Sequence, residues 1–470
     1  MNTKKIIVWF RKDLRVHDNP ALWEASQQGT VIPVFIWSKE EEKEYQASDS
    51  SLWWLHHSLL SFQQRIPLII RVGNSLEVLQ DLIHETQADA VFFNERYEPS
   101  IVNRDRKIIT QLKAQYIEAR TYNANLLYNP AEMFNHNQEV YKVFTTFWKK
   151  SMNVIAHHPV PTPYKFEIYK NPITSVKVEE LHLLSSKYRS DKLEQYWKPG
   201  EQNALEIWEQ FLSNNLYKYE RKRDFPASRA TSTLSPYLAS GNISVRSIFY
   251  AARKDDSPIL QSFIRQLVWR EFSYHQLIQF PTFPMKPLRS NFEHFPWQKD
   301  EVAVDCWKKG LTGYPLVDAG MRELWETGYM HNRVRMVASS FLVKHLLIDW
   351  RIGYEWFQQT LVDFDVANNA MGWQWVTGSG IDSAPYFRIF NPIIQSEKFD
   401  SNGDYIRKWV PELAKLPAPY IHRPWDAPSD ILKGIDIQLG STYPLPIVDH
   451  SSARLRALRA YDVIKGIKKT

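Results

Sequence analysis

The sequence predicts an N-terminal α/β domain built on a doubly wound parallel sheet, followed by a larger all-helical domain. Short apolar runs alternate with amphipathic stretches over the first 125 residues, and apolar residues recur at helical spacing from about residue 201 onward. At 470 residues the chain is too long for one ordinary core, so two or three domains are expected.

Five short apolar runs near the N-terminus have the composition of strands that are buried on both faces. The predicted strands are residues 5–10, 30–37, 67–72, 89–95 and 117–122. Four amphipathic stretches between them predict helices: ALWEASQQ, SSLWWLHHSLLSFQQ, SLEVLQDLIHET and RDRKIITQLKAQ. This alternation implies right-handed crossovers and a five-stranded parallel sheet.

The predicted domain boundaries follow from where the pattern changes. The α/β domain is placed at residues 1–128, an interdomain linker at 129–200 and the helical domain at 201–470. The Pro-punctuated stretches HHPVPTPYKF and YWKPGE predict that the linker is a long connector lying over the surface. Five stretches predict the main helices of the last domain: NALEIWEQFLSNNL, SPILQSFIRQLVWREFSYHQLI, YPLVDAGMRELWETG, VRMVASSFLVKHLLIDW and YEWFQQTLVDF.

Several classes of protein are excluded by composition. No apolar run approaches the length that spans a bilayer, and the start, MNTKKIIVWFRKDL, has too short an apolar stretch for a signal peptide. The single cysteine, Cys306, excludes a disulfide framework and a cysteine-based metal cluster. No GxGxxG follows the first strand and no GK[ST] loop occurs. We therefore expect a cytoplasmic protein with no metal site and neither of these common nucleotide-binding loops.

Charge and aromatic content favour a polyanionic partner. Residues 1–130 carry 15 basic and 16 acidic side chains, so the net charge of +6 arises in the rest of the chain. Ten of the 18 tryptophans lie after residue 260. A cationic, tryptophan-rich region suits nucleic acid, whose bases stack on aromatic rings, although charge alone is a weak indication.

The helical half carries three stretches of unusual polar residues. In residues 219–244, Thr231, Ser232 and Ser235 precede or begin a helix and could cradle a phosphate, although N-capping is the simpler interpretation of these residues alone. In QLVWREF, Gln266 and Trp269 are spaced to lie on one helix face, with Ser273 one turn further on. Arg270 and Glu271 point elsewhere and could form an ordinary surface pair.

The stretch MHNRVRM places Asn332, Arg333 and Met336 within one helical turn, with Arg335 on a neighbouring face. Such a stripe is more often core with a solvated edge than a site.

The stretch VDFDVANNAMGWQWVTGSG is harder to explain by packing. Asp363, Asp365, Asn368 and Asn369 lie in an otherwise apolar run, where burial would demand hydrogen-bonding partners. Arg335 is a possible partner for Asp363. Amide, guanidinium and carboxylate groups around aromatic rings suit a planar heterocycle that changes charge, such as a reduced flavin, and tryptophans can relay single electrons.

Seven blocks of sequence, in series, together resemble the photolyase/cryptochrome family. The blocks are FRKDLRVHDNPAL, RDFP with TSTLSPYLASG, QLVWREF, TGYPLVDAGMREL, MHNRVRM, NNAMGWQWVTGSG and APYFRIFNPIIQSEKFD. The resemblance covers nearly the whole chain and is weakest from about 130 to 200. In detail it is most similar to the class I cyclobutane pyrimidine dimer photolyases of microorganisms.

This resemblance implies noncovalent, U-shaped FAD in the helical domain, active as FADH⁻. The positions that match its binding residues are Tyr219, Thr231, Ser232, Thr233, Leu234, Ser235, Gln266, Arg270, Asn332, Arg335, Asp363, Asp365 and Asn369. Of these, Asn369 would face flavin N5. The tryptophan chain that reduces the flavin would be Trp297, Trp350 and Trp373.

The resemblance also implies a partner, UV-damaged DNA, whose pyrimidine dimer is flipped out and repaired by an excited-state electron. The positions that match its DNA-binding residues are Arg223, Trp269, Asn332, Arg333, Met336, Trp375 and Arg388. From its length and charge we expect the protein to be a monomer, although this indication is weak.

Two departures from the family pattern qualify this implication. Gln266 stands where the family's repair enzymes carry a glutamate, and glutamine cannot ionise or donate a carboxyl proton. The (6-4) photolyases also tend to carry glutamine, but with histidines where this chain has Asn332 and Met336. We therefore expect retained but less efficient cyclobutane dimer repair, with a (6-4) or dual-specificity enzyme as an alternative.

The second departure concerns the antenna chromophore. The folate-contacting pair of some class I members falls near Ser100 and Ile101, so that folate mode is doubtful. A deazaflavin, another pterin pose or no antenna all fit, and the pocket would lie near Phe35, Trp37 and Trp53, where core packing is an equally good explanation. A cryptochrome-type blue-light receptor is the main rival, and a nicotinamide-dependent flavoenzyme is disfavoured by the missing dinucleotide motif.

Overall fold

The structure is a computed structural model that describes residues 3–42, 44, 48–184, 187–253, 260–382 and 387–466. The start of one predicted helix, residues 257–259, the start of one sequence block, residues 384–386, and the last four residues lie outside the described residues.

The N-terminal sheet has the predicted five parallel strands, with bounds within two residues of those expected. The strands are β1 Lys4–Phe10, β2 Gly29–Trp37, β3 Ile69–Val72, β4 Ala90–Asn94 and β5 Glu118–Tyr122. Their order is β3-β2-β1-β4-β5, and every neighbouring pair is parallel. The doubly wound α/β prediction is therefore confirmed.

Both faces of the sheet are covered, which explains why its strands are continuously apolar rather than alternating. Ile6 and Val8 pack into one hydrophobic cluster, whereas Ile7 and Trp9 pack into another. The helices that cover the sheet are α1 Pro20–Gln28, α2 Lys39–Glu42, α3 Asp49–Gln63, α4 Ser75–Thr86 and α5 Pro99–Ala114.

The segment predicted as a surface connector contains two helices, α6 Phe144–Asn153 and α7 Lys187–Glu194. Phe144, Phe147 and Ser151 of α6 are buried. Helix α6 therefore packs as part of a core, and the expectation of a chain merely lying over the surface was wrong there. Its apolar spacing was hidden because the helix is short and the flanking residues are rich in proline.

The rest of the chain is helical, as predicted. Its helices are α8 Glu201–Asn214, α9 Leu216–Lys222, α10 Ser235–Ala239, α11 Val245–Ala252, α12 Gln261–Gln279, α13 Glu301–Lys309, α14 Pro315–Thr327, α15 Asn332–Ser340, α16 Trp350–Thr360, α17 Val366–Thr377, α18 Pro392–Phe399, α19 Asp404–Trp409, α20 Ala418–Ile421, α21 Ser429–Gly434 and α22 His450–Lys465.

One stretch expected to be a single helix is broken. After α15 the chain forms a π-helical turn, Phe341–His345, and Leu347 takes a left-handed φ of 55° before α16 begins. The apolar run is continuous through this break, so hydrophobic spacing could not locate it.

Contacts divide the chain into two compact units. The first comprises residues 1–217, 232–281 and 362–366, and the second comprises 218–231, 282–361 and 367–470. Within the first unit, Asp18 is fully buried and pairs with Arg246, its Oδ1 lying 2.6 Å from the guanidinium. Glu201 accepts hydrogen bonds from the backbone N–H groups of Val16 and His17. The sheet and residues 232–281 therefore share one buried polar network.

Among the described residues, no helix is both long and apolar enough to cross a bilayer.

Candidate functional site

In the first unit, helix α12 presents Gln266 and Trp269 as two half-buried residues on a helix that is otherwise largely buried. Phe144 of α6 stacks on Trp269 with a ring-centroid separation of 3.6 Å and an interplanar angle of 5°. Gln266 Nε2 donates to the carbonyl of Ser262 at 3.4 Å. The predicted shared face of α12 thus carries one aromatic plane and one amide.

Arg270 and Glu271 do not form the surface pair that helical spacing suggested, because both are buried. Arg270 Nη1 donates to the carbonyl of Asn125 at 2.6 Å, and Glu271 Oε2 accepts from the N–H of Leu127 at 2.8 Å. Burial raises the pKa of Glu271 to about 7, although Arg270 and the backbone donors favour its carboxylate. The pair anchors residues 125–127 to α12.

A hydroxyl-rich turn precedes the short helix α10. Thr233 has a left-handed φ of 53°, and Leu234 follows in the right-handed region. Successive left- and right-handed residues turn their backbone N–H groups into one concavity that suits an anion. Ser235 is exposed, and its Oγ donates to Asp363 Oδ2 at 2.6 Å. The turn therefore fits the phosphates that the sequence predicted for it.

The two aspartates of the VDFDV stretch are buried and hydrogen-bonded, as predicted from their apolar surroundings. Tyr274 of α12 donates to Asp365 Oδ2, and the Arg270 guanidinium lies 4.8 Å from the centre of the Tyr274 ring. Burial, followed by the nearby Asp365 charge, raises the pKa of Tyr274 well above its usual range, so the phenol stays protonated as a donor. This contact fixes the orientation of the Asp365 carboxylate.

In the second unit, the basic cluster after residue 218 is held by aromatic and acidic neighbours. The Arg223 guanidinium lies 5.2 Å from the ring centre of Tyr219, which is buried. Arg333 Nη2 lies 3.0 Å from Asp224 Oδ1. Arg223 and Arg333 thus both lie close to Asp224, the first at 4.0 Å, in one partly exposed cationic group. Thr231, at the end of this segment, is half-buried.

Helix α15 begins with the MHNRVRM stretch. Asn332 is exposed, and its Nδ2 approaches Met336 Sδ at 3.8 Å, so the two lie together on one face. Arg335 Nε donates to the carbonyl of Met330 at 2.6 Å. The pairing of Arg335 with Asp363 stays a prediction.

Sequence reasoning overlooked His331, which caps this helix by accepting from the Arg333 N–H. Its Nδ1 is the acceptor, so the neutral ring carries its proton on Nε2. Burial lowers the pKa of His331 to about 4.

Helix α17 carries the predicted amide and tryptophans. Asn369 Nδ2 donates to the carbonyl of Tyr354 at 3.2 Å. Trp373 is fully buried, with its ring centre 5.0 Å from Phe357, and its Nε1 has no partner among the described residues. A Cβ placed on Gly353 would lie 2.0 Å from Trp373 Cη2, so glycine permits this close approach.

The remaining predicted aromatic and basic residues differ in burial. Trp350 is fully buried and contacts Tyr354 edge-on, whereas Trp297 is half-buried against Phe295. Trp375 is half-buried, and Arg388 is exposed. Because Trp297 is more exposed than Trp350 and Trp373, it suits the outer end of an electron path. The exposure of Trp375 and Arg388 suits contact with DNA.

The end of α17 also depends on a residue that the sequence did not single out. Lys344, in the π-helical turn, is buried, and its Nζ donates to the carbonyl of Thr377 at 2.6 Å and lies 3.0 Å from the ring centre of Phe387. Burial lowers the pKa of Lys344 well below its usual range. In the sequence, the one indication that this residue is buried is that it is a lysine within an apolar run.

The suggested antenna residues lie in a packed region. Phe35, Trp37 and Trp53 are 5%, 7% and 2% exposed. Phe35 and Trp37 line a narrow cavity with Arg96 and Arg104. Core packing accounts for the burial of these three side chains, and an antenna chromophore near them stays a prediction.

The residues fit a flavin nucleotide on chemical grounds. Within the first unit, the turn before α10 offers a nest of backbone N–H groups and a hydroxyl, and Asp365 is an oriented carboxylate. Within the second unit, α17 carries the Asn369 amide, and Trp373 Nε1 has no hydrogen-bond partner among the described residues. Donors and acceptors of these kinds match a pyrophosphate, a polyhydroxyl chain and a heterocycle that accepts electrons.

Comparisons with known proteins also indicate a protein that binds FAD. Residues 6–164 match the family described as DNA photolyase, and residues 263–463 match the FAD binding domain of DNA photolyase. The chain is 45% identical to the deoxyribodipyrimidine photo-lyase of Agrobacterium fabrum, with 99% of each chain covered. It is 38% identical to Cryptochrome-2 of Arabidopsis thaliana, with 96% of this chain and 78% of that protein covered.

A solved bacterial class III photolyase from Agrobacterium tumefaciens has a TM-score of 0.95 and 44% identity, with 99% of this chain and 98% of that chain covered. Fold and site together define a flavoprotein that combines an α/β domain with a helical FAD-binding domain. The chain belongs to the photolyase/cryptochrome family, as its motifs predicted, and its cofactor is FAD. The motifs favour class I, whereas this solved relative is class III, and the family assignment holds for either.

Proposed function

We propose that this protein repairs cyclobutane pyrimidine dimers in DNA by a light-driven electron transfer. The observation that carries the proposal is the face of α12, where the half-buried indole of Trp269 lies one turn from the Gln266 amide. An apolar plane suits stacking with a flipped pyrimidine pair, and an amide can both donate to and accept from pyrimidine edges. The 45% identity to a deoxyribodipyrimidine photo-lyase supports the same reaction.

When bound, reduced FAD would supply a light-excited electron for splitting the two carbon–carbon bonds between the pyrimidines, a reaction with no net oxidation or reduction. The protein binds and orients the cofactor and the lesion, and it excludes water from them. The residues proposed to hold FAD are Tyr219, Thr231, Ser232, Thr233, Leu234, Ser235, Gln266, Arg270, Asn332, Arg335, Asp363, Asp365 and Asn369. No general acid or base is required for this bond cleavage.

The lesion is proposed to pack against Trp269 and Trp375, with Asn332 and Met336 forming the floor of the pocket. Arg223, Arg333 and Arg388 are proposed to contact phosphates, which adds affinity for any DNA but no preference for damage. Trp297, Trp350 and Trp373 are proposed to carry electrons inward when oxidised flavin is reduced.

The test is loss of cyclobutane dimers from a damaged oligonucleotide under blue light, with a reductant, against a dark control. We expect repair in the light only, and none with Trp269→Ala. An oligonucleotide carrying a (6-4) product is expected to persist, because the pocket segment has Asn332 and Met336 where that reaction would need histidine.

The second candidate is a cryptochrome-type blue-light receptor, which the 38% identity to Cryptochrome-2 favours. Cyclobutane dimers that survive illumination, although the protein binds FAD and undergoes photoreduction, would establish this alternative over repair.

A further inference from the structure

We infer that Phe144 is a positioning residue for Trp269, and that it sets the orientation of the indole against which a pyrimidine dimer stacks. The inference rests on the proposed function and adds to it a residue from the segment where the sequence predicted only a connector. No part of α6 carries a residue assigned to the cofactor or to DNA.

The contact between the two rings is unusually close and parallel. Their centroids are 3.6 Å apart and their planes differ by 5°. Aromatic pairs in proteins more often adopt offset or edge-on arrangements with centroids 4.5–7 Å apart. Phe144 is 1% exposed, so its own ring has little freedom to move away from the indole.

Neighbouring rings hold Phe144 in place. Trp148, one turn along α6, stacks on it at 6.4 Å and 25°, and Phe272 contacts it edge-on at 5.9 Å. Phe272 also contacts Trp269 edge-on at 5.8 Å. The indole of Trp269 is therefore supported from behind by Phe144 and from one side by Phe272.

Trp269 nevertheless stays half-buried rather than buried. A ring stacked on one face at 3.6 Å admits no solvent on that face, so its remaining exposure belongs to the opposite face and the edges. The arrangement therefore leaves at most one face of the indole open to a ligand. A base that stacks on an aromatic side chain gains about 1–3 kcal/mol, which depends on a parallel approach to that face.

The decisive variant is Phe144→Leu, which removes the flat support while keeping an apolar side chain. We expect affinity for an oligonucleotide with one cyclobutane dimer to fall about two- to twelvefold, the range corresponding to the value of one aromatic pair. Affinity for the undamaged oligonucleotide and FAD content should change less than about twofold, since phosphate contacts supply non-specific binding. Phe144→Tyr keeps the ring and should restore the preference for damage.

Phe147→Leu is the matched control. Phe147 lies on the same helix and is equally buried, but it packs against Phe272 and His275 rather than on Trp269. An equal loss of damage preference in Phe147→Leu, or an unchanged preference in Phe144→Leu, would overturn the inference.

Trp269→Ala separates the two levels of the argument. If it abolishes the preference for damage while Phe144→Leu keeps it, the inference fails and the proposed pocket stands. If Trp269→Ala keeps the preference, the proposed pocket fails, and the inference fails with it.

Discussion

Ser235 Oγ donates a 2.6 Å hydrogen bond to Asp363 Oδ2, although the two residues lie 128 positions apart in the chain. The bond joins the hydroxyl-rich turn before α10 to the loop before α17. One contact therefore aligns the two segments of the first unit that the FAD assignment depends on.

Ser235→Ala should weaken FAD binding by about tenfold, because a hydrogen bond to a charged group contributes about 1.5–3 kcal/mol and water replaces part of it at this exposed hydroxyl. The measurement is FAD affinity by fluorescence titration of apoprotein. Ser240→Ala is the control: Ser240 bonds to Asn242 and Pro236 and has no contact with Asp363. Equal loss in the two variants would show that general helix stability, not carboxylate orientation, was disturbed.

Gln266→Glu should raise the number of dimers repaired per absorbed photon. A protonated carboxyl group is a more acidic donor than an amide, so its hydrogen bond to the lesion strengthens more as negative charge develops there. Gln261→Glu adds the same group at an exposed position about one and a half turns earlier in α12 and should leave the yield unchanged. No rise in yield for Gln266→Glu would contradict the assigned role.

Two glycine substitutions should have opposite effects. Gly353→Ala would place its Cβ 2.0 Å from the buried Trp373 ring, so we expect the unfolding free energy to fall by about 1–3 kcal/mol. We also expect slower flavin photoreduction, because the Trp373 ring would be displaced. Gly372→Ala, in the same helix as Trp373, meets nothing within 4 Å and should stabilise the protein by up to about 1 kcal/mol. Urea denaturation measures the unfolding free energy of both variants, and flash photolysis measures their rate of flavin photoreduction. A Gly353→Ala variant with unchanged stability would contradict the close packing.

Stability should depend on pH through Glu271. Its pKa is raised by burial from about 4.5 in an exposed chain to about 7 in the fold, so the folded state binds more protons between these values. Proton binding by Glu271 therefore stabilises the fold fully below about pH 4.5, and this stabilisation is lost as pH rises to about 7. The total change in unfolding free energy is roughly 3 kcal/mol at most.

Glu271→Gln should reduce the pH slope by the Glu271 contribution, because the amide oxygen can still accept from Leu127 and does not titrate. The buried Glu323 and Asp400, with pKa values raised to about 7 and about 6, should keep the remainder. Urea denaturation at pH 5, 6, 7 and 8 measures the change. Glu209→Gln, at an exposed position of α8, should leave the slope as it is in the parent protein. An unaltered slope in Glu271→Gln would show that another group is responsible.

The sheet could be predicted closely because buried parallel strands are continuous apolar runs, and a run such as residues 30–37 has few other structural solutions. The buried carboxylates Asp363 and Asp365 were also predictable, since charge inside an apolar run must find partners. Their partners, Ser235 and Tyr274, were not, because they lie far away in the chain.

Other features depended on tertiary contacts that periodicity does not encode. Arg270 and Glu271 were misplaced on the surface because α12 is buried around most of its circumference, so no polar face exists to predict. Phe144 was overlooked because its partner, Trp269, is 125 positions away. The break at Leu347 follows from a left-handed residue inside an unbroken apolar run.

The ion pair of Asp18 and Arg246 bears on how such proteins can be cut and recombined. A fragment ending at residue 200 would retain all five strands, yet its buried Asp18 would lose the guanidinium that neutralises it, and Val16 and His17 would lose their acceptor on Glu201. The strands alone are therefore not a transplantable module. A chimera that exchanges the sheet between relatives must therefore carry residues 201 and 232–281 with it, so that these buried charges and donors keep their partners.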